Sequence, residues 1–459
     1  RITSVAVSGN VRNYTYDSYG RLTQRLTENA FGNQMLTESF GYRTVSAEAL
    51  TGQVSSHTLQ YGDGTLSNFS YAYDEKGNIT RIVSFGETTF QYDSQGQLIR
   101  ENNQAANRTW TYQYDNAGNI VYKREYAYTT GELGTPVSIS YRQFTDPSWG
   151  DLMTVYNGTQ ITYDTIGNPL SDGTWTYAWE HGRQLASMSD GTDTWDYEYD
   201  ANGMRIRRSD GTTTYTYVYN GGLLSQMTKG ADTLRFIYDA SGSPMILEYG
   251  NERYYYVTNM QGDVVAILNA VGAKVVEYRY DAWGNIFSTT GSMASTLGQL
   301  NPLRYRGYIY DPEFKLYYLQ SRFYDPGLGA FNAPDAFAST GQGILGNNMF
   351  AYCVNNPVMF CDYYGYCKTM WEEGYQGPCP GPGRCSDFDY DAYYAVSEDG
   401  IDIFVVIKSD LIISIISGEQ LTLSEISKIF RRSFAISFER FLLNKRILKA
   451  PLNFMENIC

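Results

Sequence analysis

The sequence predicts a mainly β protein, a long antiparallel ribbon of hairpins followed by a small, separate α+β module. Three observations carry this. A Tyr-Asp unit recurs through residues 1–300 at nearly constant spacing, residues between the units alternate aromatic and polar, and the composition is extreme. Among 459 residues there are 43 Tyr and 44 Gly but only 13 Pro, which suits many short strands joined by turns and not a disordered chain.

The unit is an aromatic strand, then Tyr-Asp, two residues, Gly, a polar residue and an apolar one. Clear copies begin at Tyr16-Asp17, Tyr73-Asp74, Tyr92-Asp93, Tyr114-Asp115, Tyr163-Asp164, Tyr199-Asp200, Tyr238-Asp239 and Tyr280-Asp281. Degenerate copies stand at Trp179-Glu180, Tyr219-Asn220 and Thr258-Asn259. From Asp164 to Asp281 the steps run from 16 to 22 residues, the length of two short strands and two turns, so each unit reads as one hairpin. Asp closes an Asx turn, and Gly three residues on supplies a positive φ. In Thr109-Trp110-Thr111-Tyr112-Gln113-Tyr114 the aromatics fall on one face and the polar groups on the other, as on a half-buried strand. A lone hairpin is marginal, so the units must pair edge to edge into one continuous ribbon.

Next comes a stretch of dense turn chemistry, residues 301–366. Tyr-Asp-Pro occurs at Tyr310-Asp311-Pro312 and Tyr324-Asp325-Pro326, and Asn-Asn at Asn347-Asn348 and Asn355-Asn356, the latter followed by Pro357. Tyr308 to Gly365 resembles the RHS-repeat-associated core, whose pattern runs GxxYDxETGLYYxxxRYYDPxxGRFxxxDP and then NxYxYxxNNPxxxxDPxG. The array before it resembles RHS/YD repeats. These occur in bacterial polymorphic toxins, in the C component of insecticidal Tc toxins and in teneurins. Departures are Phe314-Lys315, Phe323 and Ala330, with Ala336 and Tyr363 where the family has proline.

The resemblance implies that the ribbon spirals into a hollow shell and that the core curls inward as a plug. It also implies aspartyl autoproteolysis at the end of the core. The family's Arg falls on Arg322 and its Asp on Asp335, thirteen residues later, with Asp311 as the candidate second carboxylate. The expected scissile bond is Tyr366–Cys367. Two close carboxyls, one ionised and one protonated, can hydrolyse a peptide, and a nearby Arg can hold one ionised or stabilise the oxyanion. Asp325 reads as a turn former.

Residues 367–459 differ in composition. Gly377 to Gly383 resembles a linker. Ile401–Ile407 and Leu411–Ile416 read as strands. Thr422-Leu423-Ser424-Glu425 fits a capping box before a helix marked by Ile426, Phe430, Phe434, Phe438 and Phe441. Asp387, Asp389 and Asp391 read as a solvated acidic loop.

Several functions are disfavoured. A net charge of -14 argues against nucleic-acid binding by the array. No run of about 18 apolar residues exists, so no membrane span is expected. The only histidines are His57 and His181, which excludes His-dependent chemistry from the tail. All six cysteines lie at Cys353 or later, without a CxxC pair or neighbouring His, so no metal or cofactor is expected. The chain begins at Arg1, as a fragment of a longer protein would. Two functions remain open. One is a secreted or cell-surface bacterial shell that encloses and releases its C-terminal module as a toxin, with an immunity protein as partner. The other is an adhesive surface protein whose aromatics bind carbohydrate.

Overall fold

The fold is that of a computed structural model. It describes residues 1–366 except Ser8, 47–48, Ala240 and 337–343. Beyond these it describes only the strands Thr369–Met370, Ala392–Val396, Asp402–Val406 and Ile412–Ile415. The chain divides into two compact units, residues 1–387 and 388–459.

The first unit holds two antiparallel 14-stranded sheets in strict chain order, spanning Ser4–Gln160 and Thr162–Thr290. The expected ribbon is therefore divided in two. The division falls where strands shrink to two or three residues: Val155–Tyr156, Thr159–Gln160, Thr162–Tyr163 and Pro169–Ser171. Pro169 brings no N–H to a ladder.

Within the sheets each Tyr-Asp unit is one hairpin with a register slip at its Tyr. Trp110 faces Glu125 and Gln113 faces Tyr122, but Tyr114 faces Ile120. The same slip recurs at Tyr73, Tyr92, Tyr199, Tyr238 and Tyr280. Such a bulge re-aims the strand end into the turn. In the turn, the Asp115 side chain accepts from the amides of Ala117 and Asn119 at 2.9 Å. The Gly118 amide closes on the Asp115 carbonyl at a φ of 82°, a region open to glycine. Asn259 builds the same turn, as do Asn29 and Asn269, which lie outside the Tyr-Asp pattern. Tyr219-Asn220 instead leads into a tight turn with positive φ at Gly221 and Gly222.

The choice of Tyr over Phe has a structural reason. The hydroxyls of Tyr92, Tyr114, Tyr199, Tyr238 and Tyr280 donate to the carbonyls of Ile79, Leu98, Leu185, Leu224 and Val264 at 2.6–3.0 Å. Each repeat is thereby tied to the strand that opens the one before it.

Because one unit is one hairpin, every Tyr-Asp turn lies on the same rim of its sheet. The segment after Asn301 crosses that rim. Its four-stranded sheet pairs Ile309–Asp311, Leu316–Tyr318, Phe323–Asp325 and Ala330–Phe331. Its polar groups grip the turns. Tyr317 and Tyr324 donate to the carbonyls of Gly284 and Trp283. Asn355 reaches the Gly118 carbonyl, and Asn356 the Gly96 carbonyl. These two clips hold a strained turn in which Cys353, Val354 and Asn355 all have positive φ, unusual for β-branched Val. Tyr317, Tyr324 and Tyr352 are fully buried, and the rings of Tyr324 and Tyr352 stack at 4.0 Å. Each such aromatic contributes roughly 1.5–3 kcal/mol by burial.

In the second unit, Ala392–Val396, Asp402–Val406 and Ile412–Ile415 form one antiparallel sheet. The last two strands fall within the runs expected at 401–407 and 411–416. The expected helix after Thr422, the acidic loop at Asp387 to Asp391, and Cys367 lie outside the described residues.

Candidate functional site

Arg322 is the hub of the site. It follows the strand Leu316–Tyr318 and precedes Phe323–Asp325, so the hairpin turns it inward, where it is 7% exposed. Its Nη2 lies 2.7 Å from Asp335 Oδ2 and 3.6 Å from Asp362 Oδ2. Asp335 and Asp362 are 3% and 2% exposed. The guanidinium also sits 3.6 Å from the centre of the Phe331 ring, which shields it from water and strengthens its field.

The same residues strap the chain end of the core. Arg322 Nε donates to the Gly365 carbonyl. Ser321 Oγ donates to the carbonyls of Tyr364 and Gly365 at 2.6 and 2.9 Å. The Tyr366 amide donates to Asp362 Oδ1 at 3.0 Å. Gly365 is required here: its φ is 73°, and a Cβ would stand 2.6 Å from Ser321 Oγ. The Tyr366 hydroxyl is pushed up by burial and then by the charge of Asp335. A cavity of about 540 Å³ opens beside Arg322 and Tyr366, ample for water.

Of the residues singled out in the sequence, Arg322, Asp335 and Tyr366 are brought together. Asp311 is elsewhere. It forms a two-point pair with Arg205, at 2.9 Å in one arm, and lies 3.4 Å from Arg208. All three are buried, and Arg205 and Arg208 lie over the rings of Tyr318 and Tyr215 at 4.4 and 3.7 Å. Asp311 thus balances two interior cations. Asp325 accepts from the amides of Gly327 and Leu328, a turn role. Asp362, within the stretch read only as flanking the cut, is the other carboxylate near Arg322.

Residues 51–358 match the family described as teneurin YD-shell. The chain belongs to the YD-shell family. It is 32% identical over 381 residues to the tRNA nuclease WapA of Bacillus subtilis strain 168, covering 73% of this chain and 16% of that protein. A tRNA(Glu)-specific nuclease WapA of Bacillus subtilis subsp. natto is 35% identical over 221 residues, covering 47% and 9%. The chain therefore spans about a sixth of the length of the first of these relatives. Among solved structures, the Photorhabdus luminescens Tc holotoxin pore with the TccC3 mutation D651A superposes with a TM-score of 0.59 at 18% identity, over 78% of this chain and 20% of that one. TcdB2-TccC3-TEV gives 0.56 at 18% identity, over the same shares. At that identity the likeness shows the fold, which is the shell fold.

Proposed function

We propose that residues 1–300 form a carrier shell, residues 301–366 its core and autoprotease, and residues 367–459 a toxin module that the core severs from the shell. The observation that carries this is Arg322 set between the carboxylates of Asp335 and Asp362, with the backbone of 364–366 strapped beside them. An Arg at such a distance favours the ionised form of the carboxyl it pairs most closely, so Asp335 acts as base and Asp362 as acid. Water adds to the Tyr366 carbonyl carbon and gives its proton to Asp335. Asp362 protonates the Cys367 nitrogen as the C–N bond breaks, leaving a Tyr366 carboxylate and a free amine. Fixing the target bond next to the acids makes the step intramolecular, an advantage of several kcal/mol.

The experiment compares cleavage in Asp362→Asn and Asp311→Asn. The first should stay whole and the second should be cut. The opposite pattern, in an Asp311→Asn chain that still unfolds cooperatively in urea, would return the acid role to Asp311. WapA, a nuclease, and the Tc proteins, components of toxins, support a toxic role for the module. That role calls for export to the cell surface or beyond and for an immunity protein in the producing cell. Expression of residues 367–459 alone should arrest growth. Unimpaired growth would favour the adhesive, carbohydrate-binding role. Among the described residues no helix is long and apolar enough to cross a membrane.

A further inference from the structure

A second cavity, of about 100 Å³, lies between the division of the two sheets and the core, lined by Ile120, Arg142, Ile161, Asp325, Phe331 and Asn332 among others. Its chemistry is unbalanced. Arg142, in the strand Ser138–Gln143, is 6% exposed. Its Nη1 makes one long bond of 3.4 Å to the Ile120 carbonyl, while its Nε and Nη2 have no partner. No carboxylate among the described residues lies within ion-pairing distance of it. Nε and Nη2 form one edge of the guanidinium, the parallel fork that matches the two oxygens of a carboxylate. Both side-chain polar atoms of Asn332, which also lines the cavity, are likewise buried without partners. Buried donors left empty cost about 1–3 kcal/mol each, and unfilled groups of this kind call for a bound partner.

We infer that this cavity binds a small monocarboxylate, its two oxygens on the Arg142 fork, its polar edge on Asn332 and its apolar body against Ile120, Ile161 and Phe331. Asp151, Asp172 and Asp325 also line the cavity and repel a phosphate dianion more strongly than a single negative charge. Asp172 already accepts from the Tyr177 hydroxyl and two backbone amides, and Asp325 from two more; neither bonds Arg142, although the charge of Asp325 acts on it from beyond ion-pairing distance. At about 100 Å³ the cavity is smaller than the roughly 150 Å³ that holds benzene, so the fit is to an acid of about three or four carbons. The cavity shares Phe331 and Asn332 with the surroundings of Arg322 but none of Arg322, Asp335 and Asp362, and the inference does not depend on autoproteolysis.

The test is isothermal titration of the full chain with propionate and butyrate, against the neutral isosteres propionamide and butyramide. The acids should bind one per chain and the amides at least tenfold more weakly. Arg142→Gln should abolish binding of the acids, and Asn332→Ala should weaken it several-fold. The comparison of acid with amide needs no variant, so it stands even where a substitution impairs folding. Equal binding of acids and amides would overturn the inference. So would no binding of either acid at millimolar concentration, or unchanged affinity in Arg142→Gln.

Discussion

Glu101 and Asp281 make stability fall as pH rises, and Glu101→Gln should remove much of that fall. Glu101 lies on the strand Leu98–Asn103, and Asp281 opens a Tyr-Asp turn of the other sheet. Glu101 Oε2 accepts from the Ala282 amide and Oε1 from Asn103, both at 3.0 Å. Burial first, and then the charge of Asp281, push the Glu101 carboxyl up to about 8. Burial raises Asp281 as well. A carboxyl raised in this way binds its proton more tightly folded than unfolded. The stability it brings is full below its unfolded value near 4.5 and is lost as pH climbs through about 8. At about 1.4 kcal/mol per pH unit the whole span amounts to roughly 5 kcal/mol, shared between the two acids. Gln keeps the shape but can accept only one of the two bonds, a loss independent of pH. The assay is the urea midpoint at pH 5 and pH 9, followed by tryptophan fluorescence, since buried Trp283 adjoins the pair. Relative to the native chain, Glu101→Gln should be less stable at pH 5 and more stable at pH 9. A difference between the two chains that does not change with pH would refute the reasoning.

Other expectations follow from single contacts. Asp311→Asn strips the carboxylate that balances buried Arg205 and Arg208 and should destabilise the first unit by about 3–5 kcal/mol in urea unfolding. Tyr238→Phe removes the hydroxyl bond to the Leu224 carbonyl and should cost about 1 kcal/mol by the same assay. Arg142→Met replaces a buried guanidinium with two empty donors and should raise the melting temperature of the ligand-free chain, by about 1–3 kcal/mol in stability.

The hairpin array was legible because its physics is local. An Asp that bonds the second and fourth amides after it, with a Gly at positive φ, leaves its mark within five residues, and the Tyr follows from a bond one repeat away. Asn29 and Asn269 were missed because Asn supplies the same oxygen without the Tyr-Asp pattern. The division near Ile161 was missed because the Tyr-Asp count continues through it while the strands shorten. The site was half legible. Arg322 and Asp335 came from a motif, but Asp311 and Asp362 look alike in sequence. They are told apart only by partners far along the chain, Arg205 at a separation of 106 residues for Asp311 and Arg322 for Asp362. The Arg142 cavity left no sequence signal, since an unpaired Arg is defined by what does not approach it.

The most direct measurement of the central claim is the intact mass of the purified chain under denaturing conditions, for the native sequence and for Asp335→Asn. Self-cleavage predicts two fragments meeting after Tyr366 in the native chain and one uncut species in the variant. A native chain that remains whole, or a variant cut as completely as the native chain, would contradict the account.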